Sequence, residues 1–158
     1  MIEKLLLLVI LLSTALCLNA KDIQFNLDMP SEVKGKIPLI IVCPGAGYHK
    51  DLSLFTDIRD EALDKNIACL RFNWKYFTEG RKPSEGYKEE LDTIEEMIKL
   101  AKKNPAIDTQ QIYLAGKSLG SVLAYQAMLN KEGKENPDTL QPFRNDIKGL
   151  ILLTPILS

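Results

Sequence analysis

The stretch "QIYLAGKSLGSVLAYQAMLN" (111–130) switches from one periodicity to another with no linker between them. Ile112 to Ala115 is a short apolar run of strand character, and Leu119 onward reads as helix, so a strand must hand over to a helix within three or four residues. At the joint stands Gly116-x-Ser118-x-Gly120. So sharp a turn presses the chain against its own backbone, and a glycine two positions to each side of the serine removes the Cβ atoms that would collide. The same letters also contain Gly116-Lys117-Ser118, the tail of a phosphate-cradling loop. That loop needs a further glycine five residues before the Gly-Lys pair, where this chain has Gln111 inside a strand-like run. The nucleotide reading fails, and the tight serine turn stands.

The rest of the chain supplies a matching framework. "DIQFNLDM" (22–29) alternates and reads as an opening strand. Ile37 to Cys43 is continuously apolar and closes on Pro44 and two glycines, the mark of a strand covered on both faces. "LSLFTDIRDEALDKN" has Phe55, Ile58 and Ala62 at helical spacing, and "IACLRFNW" is a second buried strand. Tyr87, Leu91, Ile94, Ile98 and Ala101 form one apolar stripe on a helix that Asn104-Pro105 ends. "QIYLAG" and "IKGLILLTPIL" are further strands, with "LGSVLAYQAMLN" as helix and "KEGKENPDTLQPFRND" as polar connector. Strands alternating with helices predict a mostly parallel α/β sheet, joined by right-handed crossovers and carrying helices on both faces in three αβα layers. Function in such sheets gathers beyond the carboxyl ends of the strands.

Of the 158 residues, the first twenty are expected to stand outside the fold. "MIEKLLLLVILLSTALCLNA" reads as an export signal cleaved near Ala20 or after Cys17, with residues 21–158 forming one domain. Its apolar run is too short to span a bilayer comfortably, so no stable membrane span is expected in the mature chain. A lipoprotein anchor on Cys17 and an uncleaved N-terminal anchor stay open, with a periplasmic or secreted location expected. Export would permit a disulfide between Cys43 and Cys69, yet both sit in apolar strand-like runs and read better as buried thiols. Twenty basic residues against twenty-one acidic ones give no basic block, which leaves a nucleic-acid partner without electrostatic support. The reading calls for no cofactor and no metal.

An acyl-transfer enzyme needs two backbone N–H groups aimed at the developing oxyanion, one following the nucleophile and one from a neighbouring loop. Leu119 and Ala46 (or Gly47, in "CPGAGY") are the matching positions. On these pieces, "PGAGYHKDLSLFTDIRDEALDKNIACLRFNW" followed by "IDTQQIYLAGKSLGSVLA" resembles the α/β-hydrolase superfamily. It is most similar to dienelactone-hydrolase-type members and to the branch with testis-expressed proteins and chromatin-complex subunits. The resemblance covers roughly residues 37–158. It implies Ser118 as nucleophile, Ala46 and Leu119 as oxyanion hole, Gly116 and Gly120 as elbow glycines, and a small-molecule ester or other acyl compound as substrate. Pro44 departs from it, standing where many relatives have histidine.

The resemblance also implies an acid and then a histidine after the serine. The sequence has one histidine, His49, which precedes Ser118, and Asp51 is placed to orient it as a substitute base. Glu132, Glu135, Asp138 and Asp146 follow the serine, but enter the last strand from its amino end. Trp74, Tyr76 and Phe77 fall on the site face, where they line a pocket or close the core. The expectation is a partial hydrolase fold, apparently truncated at its C-terminal part, whose activity alone is doubtful. A non-catalytic binding or scaffold protein on the same fold is the alternative.

Overall fold

The computed structural model describes residues 23–129 and 145–154. The leader sequence with Cys17, most of the connector after Leu129, and Glu132, Glu135 and Asp138 therefore lie outside the described residues. Five strands, β1 (Phe25–Asp28), β2 (Ile37–Cys43), β3 (Ala68–Phe72), β4 (Ile107–Lys117) and β5 (Gly149–Leu153), form one sheet in the order β1-β3-β2-β4-β5. Four of them run parallel, and β1 lies antiparallel on β3 at one edge. The helices are α1 (Ser53–Asp64), α2 (Lys75–Thr78), α3 (Lys88–Lys102) and α4 (Leu119–Met128). Among the described residues no helix is long and apolar enough to cross a membrane.

Strand alternation divides the core into two layers. From β2, Leu39, Ile41 and Cys43 join Leu70, Phe72, Ile112 and Leu114 against the apolar stripe of α3 and the inner face of α4. From the opposite face, Val42, Cys69 and Ala115 pack with Phe55 and Ala62 of α1. Burying Phe55 completely contributes about 2–3 kcal/mol. Cys43 and Cys69, one in each layer, are free and buried, and burial pushes both thiols up to about 12.

Two elements differ from their sequence reading. β4 begins at Ile107, four residues before "QIYLAG". Its pairing to β2 jumps from Ile37↔Ile107 to Leu39↔Ile112, so Asp108–Gln111 bulge out of the ladder. The bulge closes on itself, because Asp108 accepts from the Gln110 N–H at 3.0 Å and the Gln111 amide at 2.9 Å. Polar residues therefore occupy a strand where no apolar alternation could announce it. The other addition is α2, a single turn that directs Tyr76 back into the core. At the far edge, β5 leaves Ile151 and Leu152 about two-fifths exposed.

Candidate active site

β4 ends at Lys117 and α4 starts at Leu119, so Ser118 alone makes the turn between them. Its backbone lies at φ 53°, ψ −120°, a region that costs a non-glycine residue about 1–3 kcal/mol. The surroundings hold it there. The Ser118 N–H donates to Leu153 O at 3.1 Å, and the Ser121 N–H donates back to Ser118 O at 2.8 Å. The buried Ser121 hydroxyl donates to Gly116 O at 2.6 Å and lies 3.2 Å from Leu153 O. Both glycines are required by close approach. A Cβ on Gly116 would strike Gly120 O and stand 2.5 Å from the Ser121 Cα; one on Gly120 would strike Cys43 O and stand 2.6 Å from Pro44 O. The serine turn thus packs directly on the loop that leaves β2.

That loop, residues 44–51, is held by side chains from the exit of β3. The Trp74 indole donates to Pro44 O at 2.8 Å, and the Tyr76 hydroxyl donates to Ala46 O at 2.8 Å. The Lys50 N–H donates to the buried Asn73 amide oxygen at 2.7 Å. Arg71, 3% exposed, donates to Asp51 at 2.8 Å, to Lys50 O at 3.2 Å and to Asp28 of β1 at 2.9 Å. Of the aromatic trio, Trp74 and Tyr76 are buried braces, while Phe77 is half-buried beneath His49, its ring centre 6.2 Å away. No sequence pattern marked Arg71 or Asn73, because their partners lie twenty or more residues away. Polar residues inside a strand read as buried were the available signal.

His49 and Asp51 do meet. The Asp51 N–H donates to His49 Nδ1 at 3.2 Å, and an Asp51 carboxylate oxygen lies 3.4 Å from the same nitrogen. With Nδ1 accepting from the backbone, the neutral ring carries its proton on Nε2. The Asp51 carboxylate is already engaged by Lys50 and Arg71, whose hydrogen bonds and charges, Lys50 foremost, hold it below the usual carboxylate range. Lys117 donates to the Thr154 hydroxyl and sits 5.9 Å from the centre of the Tyr48 ring. Asp146 pairs with Lys102 at 2.6 Å on α3. Among the described residues no group of three or more His, Cys, Asp or Glu could hold a metal ion.

Replacing Arg71 with methionine is expected to cost about 2–3 kcal/mol in urea denaturation, below the range for fully buried pairs because Asp28 and Asp51 can rehydrate. The Asp51 contribution is present above the ordinary carboxylate pKa of about 4 and is lost as pH falls through its depressed value. The Arg71→Met variant should therefore lose less stability on acidification than the parent chain.

The family model for the alpha/beta hydrolase domain matches residues 36–154. This chain belongs to the alpha/beta hydrolase family. The solved structure of Est1E from Butyrivibrio proteoclasticus with ferulic acid bound is 26% identical, at a TM-score of 0.63 over 84% of this chain and 49% of that one. XC6422 from Xanthomonas campestris, described as an a/b serine hydrolase without lid, is 21% identical at a TM-score of 0.56, over 66% of this chain and 49% of its own. The esterase Est2 from Thermogutta terrifontis, with propionate bound, is 16% identical at a TM-score of 0.61, over 89% of this chain and 52% of that one. This alpha/beta hydrolase chain spans about half the length of these solved structures. No curated protein matches it.

Proposed function

We propose that the protein is a serine hydrolase of small-molecule esters or related acyl compounds, with Ser118 as its nucleophile. The observation that carries this reading is the strained backbone of Ser118, held by its neighbours at the end of a parallel strand. Strain of this kind survives where the surrounding structure over-determines it, and it clusters at reactive positions. Attack by Ser118 Oγ on an ester carbonyl places negative charge on the carbonyl oxygen. Leu119, first residue of α4, has an N–H with no acceptor inside its own helix, and the positive end of the helix dipole lies there. With Ala46 from the adjoining loop it supplies the oxyanion donors. Est1E, which binds ferulic acid, adds support for an ester carrying an aromatic acyl group.

The Ser118 proton needs an acceptor. His49 is the one histidine of the sequence, and its Nδ1 accepts the Asp51 N–H where a triad histidine would donate from that atom to its acid. The 158-residue chain alone is accordingly proposed to bind covalent probes better than it turns over esters, and the site residues keep their roles in the whole protein. Exposure to a fluorophosphonate probe, followed by peptide mass analysis, tests the assignment. Labelling confined to Ser118 supports it. Silence at Ser118 in the folded chain favours the scaffold reading, in which the fold serves binding without chemistry. Export through residues 1–20 is part of the same proposal, and finding the mature N-terminus near residue 21 would support it.

A further inference from the structure

The loop leaving β2 has an unusual amount of external support for a segment in which Ala46, Gly47, Tyr48 and His49 are all exposed. Three successive carbonyls in it are occupied. Pro44 O accepts from the Trp74 indole at 2.8 Å, Gly45 O from the Tyr48 N–H at 3.3 Å, and Ala46 O from the Tyr76 hydroxyl at 2.8 Å. A peptide unit is planar and trans, so its N–H points opposite to its C=O. Fixing the carbonyls of residues 44, 45 and 46 therefore fixes the N–H directions of Gly45, Ala46 and Gly47. We propose that Trp74 and Tyr76 are positioning residues that preset the backbone donors of this loop, taking the loop's oxyanion role from the reading above.

The two braces are themselves rigid. Trp74 is fully buried and Tyr76 is 3% exposed. Their rings lie nearly parallel, 12° apart with centres at 6.5 Å, and Phe72 meets Trp74 edge-on at 4.8 Å. Burial, with the Glu90 carboxylate nearby, pushes the Tyr76 hydroxyl up to about 12, so it stays a donor throughout the working range of a hydrolase. The Glu90 side chain is in turn fixed, accepting from the Ser84 N–H at 3.0 Å and the Ser84 hydroxyl at 2.5 Å. Donors locked before substrate arrives need no reorganisation when charge develops, which is what makes preorganised amides effective. Neither ring needs to touch substrate for this. Trp74 acts on the Pro44–Gly45 peptide and Tyr76 on the Ala46–Gly47 peptide, the two that flank the peptide carrying the Ala46 N–H and limit how it can turn.

The test is Tyr76→Phe in the 158-residue chain, which removes one oxygen and keeps the ring, with Trp74→Phe as the second variant. Backbone 15N relaxation should report residues 45–47 falling from an order parameter of about 0.85 to below about 0.6, with the rest of the sheet unchanged. Fluorophosphonate labelling of Ser118 should slow by about tenfold or more, as expected for a weakened oxyanion donor. Unchanged order parameters in both variants would overturn the proposal, as would a drop spread over the whole domain. Labelling at the parental rate despite a loosened loop would also overturn it. Failure of the parent chain to label counts against Ser118 as nucleophile and leaves the relaxation result to decide the bracing.

Discussion

Gly120→Ala is expected to destabilise the protein by about 3 kcal/mol or more, a large part of the roughly 5–15 kcal/mol that holds a domain folded. The added methyl would meet Cys43 O, with Pro44 O at 2.6 Å. Both obstacles are backbone, so no rotamer change relieves the overlap, and α4 would have to lift from the sheet or the loop from the turn. Gly47→Ala is the internal control. Its Cβ would meet nothing within 4 Å, and its φ is not among the positive ones, so it should stay within about 0.5 kcal/mol of the parent. Urea denaturation of the two variants side by side checks the prediction. A Gly120→Ala protein within 1 kcal/mol of its parent would mean that the serine turn does not rest on the loop.

The second large effect concerns Ser118 and has opposite signs for chemistry and stability. Ser118→Ala and Ser118→Gly should each abolish fluorophosphonate labelling, because neither replacement carries an oxygen that could attack the probe. Their stabilities should differ. Alanine inherits the unfavourable φ of 53°, whereas glycine adopts it freely. After subtracting the added freedom of glycine in the unfolded chain, Ser118→Gly should be about 1 kcal/mol more stable than the parent, or about 3 °C in Tm. Ser118→Ala should remain near the parent. Calorimetry on the three proteins decides it, and a glycine variant less stable than the alanine one would show that the turn stores no strain.

The parts of the molecule that could be read from sequence are those fixed by local pattern. The unbroken run Ile37–Cys43 needed cover on both faces, and α1 and α3 provide it. The stripe from Leu91 to Ala101 faces the core on α3, and the Gly116–Gly120 joint turns where the spacing placed it. What stayed hidden depends on partners distant in sequence. The alternation in Phe25–Asp28 marks a strand, but says nothing of its antiparallel placement on β3. "IDTQQ" has no apolar rhythm because the strand bulges there. Tyr76 and Trp74 were visible as aromatics beside the site. Their role as hydrogen-bond donors to Pro44 O and Ala46 O became legible only once β2 and β3 lay side by side. Proximity along the chain pairs Asp51 with His49, and the two do meet, but the engagement of the same carboxylate by Arg71, twenty residues later, has no local signal.

The anchoring of Ser118 N–H and the Ser121 hydroxyl on Leu153 O has a consequence for biosynthesis. Ribosomes deliver β4 and α4 well before β5, so a nascent polypeptide halted near residue 145 would possess Ser118 and both glycines without the acceptor on Leu153. The turn that carries Ser118 would thus gain this anchor only once β5 is in place.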